Sequence, residues 1–176
     1  MSTRFAHPDR KGAARSSMSE QQGWGLRTQP VRKPTWVDPP DQWENLDLSS
    51  YVALPAQAAQ TNIIKFQIPV GHNGVIKKVA NNFVGPGFVE GTGAIVWQIL
   101  VDGAPPPGAT SYDNILDSLG AVSNPTEIAG FRVYENQTLT VVVKNIGVVP
   151  QAGQASGARL IGWLYPREME EVASWL

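Results

Sequence analysis

From residue 62 to residue 166 the chain is cut into short apolar runs by glycine, proline and Asn/Asp turn residues, a punctuation that favours β-strands over helices. Ile64, Phe66 and Ile68 alternate with Lys65 and Gln67. Pro69-Val70-Gly71-His72-Asn73-Gly74 then supplies turn chemistry ahead of Val75-Ile76-Lys77-Lys78-Val79, so the segment reads as a strand, turn, strand unit of hairpin type. Ile95, Trp97, Ile99 and Val101 fall on one face of a further strand ending at Asp102-Gly103, and Val96, Gln98 and Leu100 on its other face mark it as well buried. Ile128–Tyr134, Thr138–Val143 and Ala158–Tyr165 complete the set, with a turn at Glu135-Asn136 and a stop at Pro166. Gly85-x-Gly87, Gly91-x-Gly93, the triple proline Pro105–Pro107 and Ile146–Gly157 are loops. One short helix is expected at Ser111–Gly120, where a Ser cap, apolar residues at helical spacing and a terminal glycine coincide, and it crosses between two sheets. Many short strands joined this way predict an all-β sandwich or barrel.

The same reading divides the chain into an extended N-terminal arm at 1–45, a linker packing onto the domain at 46–61, the sandwich at 62–166 and a C-terminal tail at 167–176, with room for a short terminal helix. The arm lacks apolar periodicity and is rich in Arg, Ser, Gln, Gly and Pro, so it cannot offset its ordering entropy alone. Yet it holds Trp24, Trp36 and Trp43, which a purely solvating tail does not need. The plain alternative is a tail whose tryptophans fold back on their own domain. Charge is also segregated: residues 1–33 carry seven basic side chains against two acidic, whereas the remainder carries seven against thirteen. Trp24, Trp36 and Trp43 are therefore the expected partner-binding anchors, with Arg27, Arg32 and Lys33 steering the approach.

Catalytic chemistry finds few residues to work with. Cysteine is absent, which removes disulfides, thiol nucleophiles and Cys-based zinc sites. His7 and His72 are the two histidines, one in the arm and one in a turn, too few for a cupin-type metal site or a Ser-His-Asp set. Asp113 and Asp117, or Asp102 and Glu135, offer carboxylate pairs for glycoside hydrolysis, but Asp belongs at helix ends and turns on local grounds alone. The tripeptide His7-Pro8-Asp9 lacks the helical hairpin that its co-chaperone use requires, and Asn136-Gln137-Thr138 reads as a turn entering a strand. The expectation is a non-enzyme without cofactor or metal. No apolar run approaches the roughly 18 residues of a membrane span, so the chain reads as a soluble protein made in the cytoplasm. Seven dispersed basic residues interrupted by prolines are a weak signal for nucleic acid, which is not the expected partner, and an acidic protein surface would satisfy them equally well.

With the strands placed, residues 62–166 resemble the single jelly-roll modules of small structural proteins in tailed bacteriophage virions. The resemblance rests on four segments: Phe66-Gln67-Ile68-Pro69-x-Gly71-x-x-Gly74-Val75-Ile76-Lys77, Trp97-x-Ile99-x-Val101-Asp102-Gly103, Val133-x-Glu135-Asn136-Gln137-Thr138-Leu139-Thr140-Val141, and Ala158-Arg159-Leu160-x-Gly162-Trp163-x-Tyr165-Pro166. It implies a jelly-roll β-sandwich, a virion location and a capsid decoration or cement role. It also implies a homo-oligomer, with a trimer favoured, whose arm reaches the major capsid protein or another virion protein. The alternatives on the same fold are a neck, tail or fibre component, or a carbohydrate- or receptor-binding module. For the last of these an exposed Trp or Tyr would stack on sugar, and Tyr112 is the one such residue in the loops 85–93, 104–112 and 146–157.

Overall fold

The computed structural model describes residues 39–40, 42–83, 92–107, 110–147 and 155–171, all within the unit Lys33–Leu176. Eight strands account for most of them: β1 (Glu44–Ala53), β2 (Gln60–Gln67), β3 (His72–Phe83), β4 (Ile95–Val101), β5 (Gly120–Ala121), β6 (Asn124–Val133), β7 (Thr138–Asn145) and β8 (Ala155–Pro166). They form two antiparallel sheets, a five-stranded one in the order β1-β8-β3-β6-β5 and a three-stranded one in the order β2-β7-β4. Apart from the two-residue β5, which pairs with its successor β6, consecutive strands belong to opposite sheets. The expected jelly-roll sandwich is therefore the observed fold.

The two inner faces meet in one core. Ile76, Val133, Leu160 and Leu164 come from the larger sheet, and Ile64, Trp97, Ile99, Val141 and Val143 from the smaller. Trp97 is fully buried, and its indole Nε1 donates to Ser156 Oγ at 3.1 Å, so its one polar atom is satisfied inside the core. Outside the larger sheet a second cluster of Val75, Trp163 and Tyr165 is covered by Met169 of α1 (Glu168–Glu171). Between the clusters β3 and β8 approach closely. A Cβ on Gly162 would lie 1.8 Å from the Val75 carbonyl oxygen, so no other residue fits there without moving backbone. This contact coincides with the register shift of β3 between Ile76 and Lys78.

Three local expectations are revised. Residues 46–61, assigned to a linker that packs on the domain, contain most of β1, which pairs with β8 from Glu44↔Leu164 to Ala53↔Ala155. Its Leu46 is buried while Asn45, Asp47, Ser49 and Tyr51 face solvent. The Pro69–Gly74 segment does not close a hairpin, because β2 and β3 lie in different sheets; Gly71, at φ 79°, turns the chain across the sandwich end. The helix expected at Ser111–Gly120 is reduced to one 3₁₀ turn at Thr110–Asp113. Beyond that turn Ile115 exchanges backbone hydrogen bonds with Trp97, at 3.0 and 2.9 Å. Gln98 Nε2 donates to the Asp113 carbonyl at 2.8 Å, and Asn81 Nδ2, from the other sheet, donates to the Asp117 carbonyl at 3.1 Å. Those carbonyls are thus committed to strands, and a helix would have to win them back. The segment does span the two sheets, as expected, and the short α-helix lies at the C-terminal end of the described chain.

Candidate interaction surface

The β2–β3 crossing, the β6–β7 turn, the start of β1 and the end of β8 converge at one end of the sandwich. The crossing is pinned to the turn by backbone: Ile68 N donates to Gln137 O at 2.9 Å and Asn136 N to Ile68 O at 3.0 Å. Asn136 takes φ 64°, a left-handed conformation that Asn tolerates better than most residues. Glu135 then acts as a bracket. One carboxylate oxygen accepts from Gly71 N at 3.0 Å, and the other accepts from the Arg167 guanidinium, while Arg167 N donates to Gly71 O at 2.9 Å.

A second bracket lies beside the first. Asn73 is 3% exposed, and both polar atoms of its amide are bonded: Oδ1 accepts from Glu135 N at 3.1 Å, and Nδ2 donates to Glu170. The other Glu170 oxygen accepts from Arg132 Nη1 at 3.1 Å. Asn73, Glu135, Arg167 and Glu170 share the lining of a hollow of about 350 Å³ with Tyr134. The bonds that Glu170 accepts from Asn73 and Arg132 are partly shielded from water, which makes them stronger than open surface pairs, whereas the Arg167 guanidinium is largely exposed.

Large apolar side chains project from this braced frame. Tyr134 is 44% exposed, Val70 75% and Trp43 48%. Trp43 precedes β1 and lines a smaller hollow of about 240 Å³ with Gln42, Glu44, His72, Leu164 and Pro166. Aromatic and arginine side chains held on a rigid frame lose little entropy on binding, and they are the residue types over-represented in protein interfaces.

Of the residues expected to bind a partner, Trp43 is on this surface, and Trp24, Arg27, Arg32, Lys33 and Trp36 lie outside the described residues. Sequence reasoning passed over Tyr134 and Val70. Their signal was their place beside turn residues, where an apolar side chain has no strand face to bury it.

Three of the four carboxylates considered for catalysis have structural work. Asp102 Oδ1 accepts from Thr138 N at 2.8 Å, Asp113 Oδ1 accepts from Gln98 Nε2 at 2.6 Å, and Glu135 is the bracket above. Asp113 and Asp117 do not share a helical face, since the helix is missing there. Among the described residues no group of three or more His, Cys, Asp or Glu side chains is placed to hold a metal ion, and no helix is long and apolar enough to cross a membrane. Tyr112 does not stand free for a sugar. Its half-buried ring packs on Phe131 with centroids 5.8 Å apart and planes tilted by 57°, and burial pushes its phenol pKa up.

No protein-family model and no curated protein matches the chain. Among solved structures it is similar to a chain in the acidic stable capsid structure of Helicobacter pylori bacteriophage KHP30, with 12% sequence identity and a TM-score of 0.37, over 69% of this chain and 92% of that one.

Proposed function

We propose that the protein is a non-enzymatic virion structural protein of the capsid decoration or cement type, which clamps neighbouring capsid subunits through its N-terminal arm. The observation that carries this reading is the junction between arm and domain. Trp43, the last of the three arm tryptophans, stands half-exposed at the entry to β1, on the same sandwich end as exposed Tyr134 and Val70 and the Glu135–Arg167 and Glu170–Arg132 brackets. A braced body joined at that point to a basic, tryptophan-bearing segment suits gripping an acidic protein lattice. The arm's ordering cost is then met by the partner. The four sequence segments that resemble phage jelly-roll modules support the same assignment, as does the engagement of the Asp102, Asp113 and Glu135 carboxylates in turns and brackets.

In this role Trp24, Trp36 and Trp43 anchor the arm, and Arg27, Arg32 and Lys33 speed and orient the encounter. Self-association of the sandwich, as a trimer, multiplies weak contacts into stable attachment. The test is removal of residues 1–38, a cut that leaves β1 whole. The shortened chain is expected to fold, with an unchanged β-sheet circular dichroism spectrum, and to lose most of its occupancy on particles of the virus that encodes it. Full occupancy without the arm overturns the clamp mechanism.

A further inference from the structure

We propose that the free edge of β1 is a second interaction surface and that its occupant is β1 of another copy, paired antiparallel about a two-fold axis centred on Ser49. A sheet edge is a row of unpaired N–H and C=O groups, and natural proteins guard such edges with bulges, prolines, lysines or covering segments. Three of the four edges here are guarded. In β2 the register shifts between Asn62 and Ile64, and the exposed Lys65 follows. At β4, Ile115 and Ala104 cap Trp97 and Val101. The outer side of β6 has β5 on its first residues, Pro125 within it and Gly130 at φ 83°.

Among the described residues β1 has none of these devices. Its ten residues hold uninterrupted register with β8, without proline, lysine or bulge, and among the described residues β8 is its one ladder partner. Asp47, which would repel an approaching strand, is neutralised within its own sheet by a two-pronged bond from Arg159, at 2.7 and 2.6 Å.

The sequence of β1 suits a second copy in the register centred on Ser49. Centring the axis on Ser49 sets Leu46 opposite Val52 of the other copy on the inner face, and Asp47 opposite Tyr51 and Asn45 opposite Ala53 on the outer face. No like charges face each other. A shift that centres the axis on Asp47 would oppose two carboxylates, and a parallel pairing would stack Glu44 and Asp47 on themselves. Tyr51 is 59% exposed and its ring leans over Gly157 of β8, where an added Cβ would come within 2.5 Å of it, so the ring lies toward β8 and leaves the outer edge of β1 open to an added strand. The contact uses the β1 edge alone and is separate from arm attachment.

The chain has no cysteine, which makes single-thiol trapping clean. In the full-length protein at high micromolar concentration, mild oxidation or a short bis-thiosulfonate linker is expected to convert more than half of Ser49→Cys to a covalent dimer. Asn45→Cys alone is not crosslinked, and an equimolar mixture of Asn45→Cys and Ala53→Cys gives a covalent dimer. All three substitutions are at exposed positions, and circular dichroism confirms folding. The proposal is overturned if Ser49→Cys crosslinks no more than Gln60→Cys on the guarded β2 edge, as it would if the arm covered β1. It is equally overturned if Asn45→Cys self-crosslinks as well as Ser49→Cys, which would mean unspecific collision or another register. Arm removal tests attachment and leaves this outcome unaffected, so the two readings fail separately.

Discussion

Replacing Gly162 with alanine tests the tightest backbone approach among the described glycines. The new methyl carbon would sit 1.8 Å from the Val75 carbonyl oxygen, 2.8 Å from the Val75 carbonyl carbon and 3.0 Å from Ile76 Cα. Carbon and oxygen approach comfortably to about 3.3 Å, so the Val75 peptide must retreat by roughly 1.5 Å. It has nowhere easy to go. Val75 pairs with Arg132 of β6 on one side and Trp163 of β8 on the other, next to the register shift. Losing two ladder hydrogen bonds costs about 1–3 kcal/mol, and the residual overpacking about 1–3 kcal/mol more. A total of about 2–6 kcal/mol is a large share of the roughly 5–15 kcal/mol that holds a domain folded. At about 2–4 °C per kcal/mol, Gly162→Ala is expected to melt on the order of 10 °C below the parent.

The assay is thermal unfolding followed by circular dichroism, with Gly71→Ala as the comparison. Gly71 has φ 79° but nothing within 4 Å of an added Cβ, so that variant pays only the left-handed backbone cost of about 1–2 kcal/mol. A Gly162→Ala protein that melts within 3 °C of the parent, or no lower than Gly71→Ala, refutes the reasoning.

Two further outcomes follow from the surface. Arg159 hydrogen bonding, reinforced by its charge and opposed by burial, holds the Asp47 carboxyl below its ordinary range, so the unfolded chain takes up a proton there first as pH falls. The pair's contribution is fully present above the unfolded value of about 3.9 and is lost as pH drops through the lower folded value. The gap in urea midpoint between the parent and Asp47→Asn should therefore be open at pH 6, close toward pH 2 and shrink in added salt; an equal gap at both pH values contradicts it. Trp43→Ala removes a half-exposed ring ahead of β1, so its melting temperature should stay within about 2 °C of the parent while particle attachment falls at least severalfold; a large loss of stability would instead make Trp43 a core residue.

Local pattern carried the sheets a long way. Ile95 to Val101 and Thr138 to Val143 read as strands because their alternation is strong and their turns are explicit, and Asp102 and Asn136 take the left-handed conformations that such turns demand. β1 was harder to see. Its inner face mixes Leu46 and Leu48 with Ser50, and it follows a proline-rich segment, so its strand character comes from pairing with β8, more than a hundred residues later. The 111–120 segment had genuine helical signals, but its carbonyls were claimed by Gln98 and Asn81 from two different sheets, a competition invisible to local spacing. The same limit hid most of the interaction surface. Asn73 and Glu170 lie 97 positions apart in sequence, and only the fold brings them together.

The sheet order also has a consequence for the order of synthesis. β8 occupies the slot between β1 and β3, although it emerges from the ribosome after both. Until it arrives, the larger sheet has a gap one strand wide, and β1 has no partner within its own sheet. Folding must then wait for β8, and it should be slow and all-or-none, since few pairings in this topology are local. A nascent chain paused before residue 155 offers that gap to any extended segment nearby, so crowded polysomes making this protein are where wrongly exchanged strands should first appear.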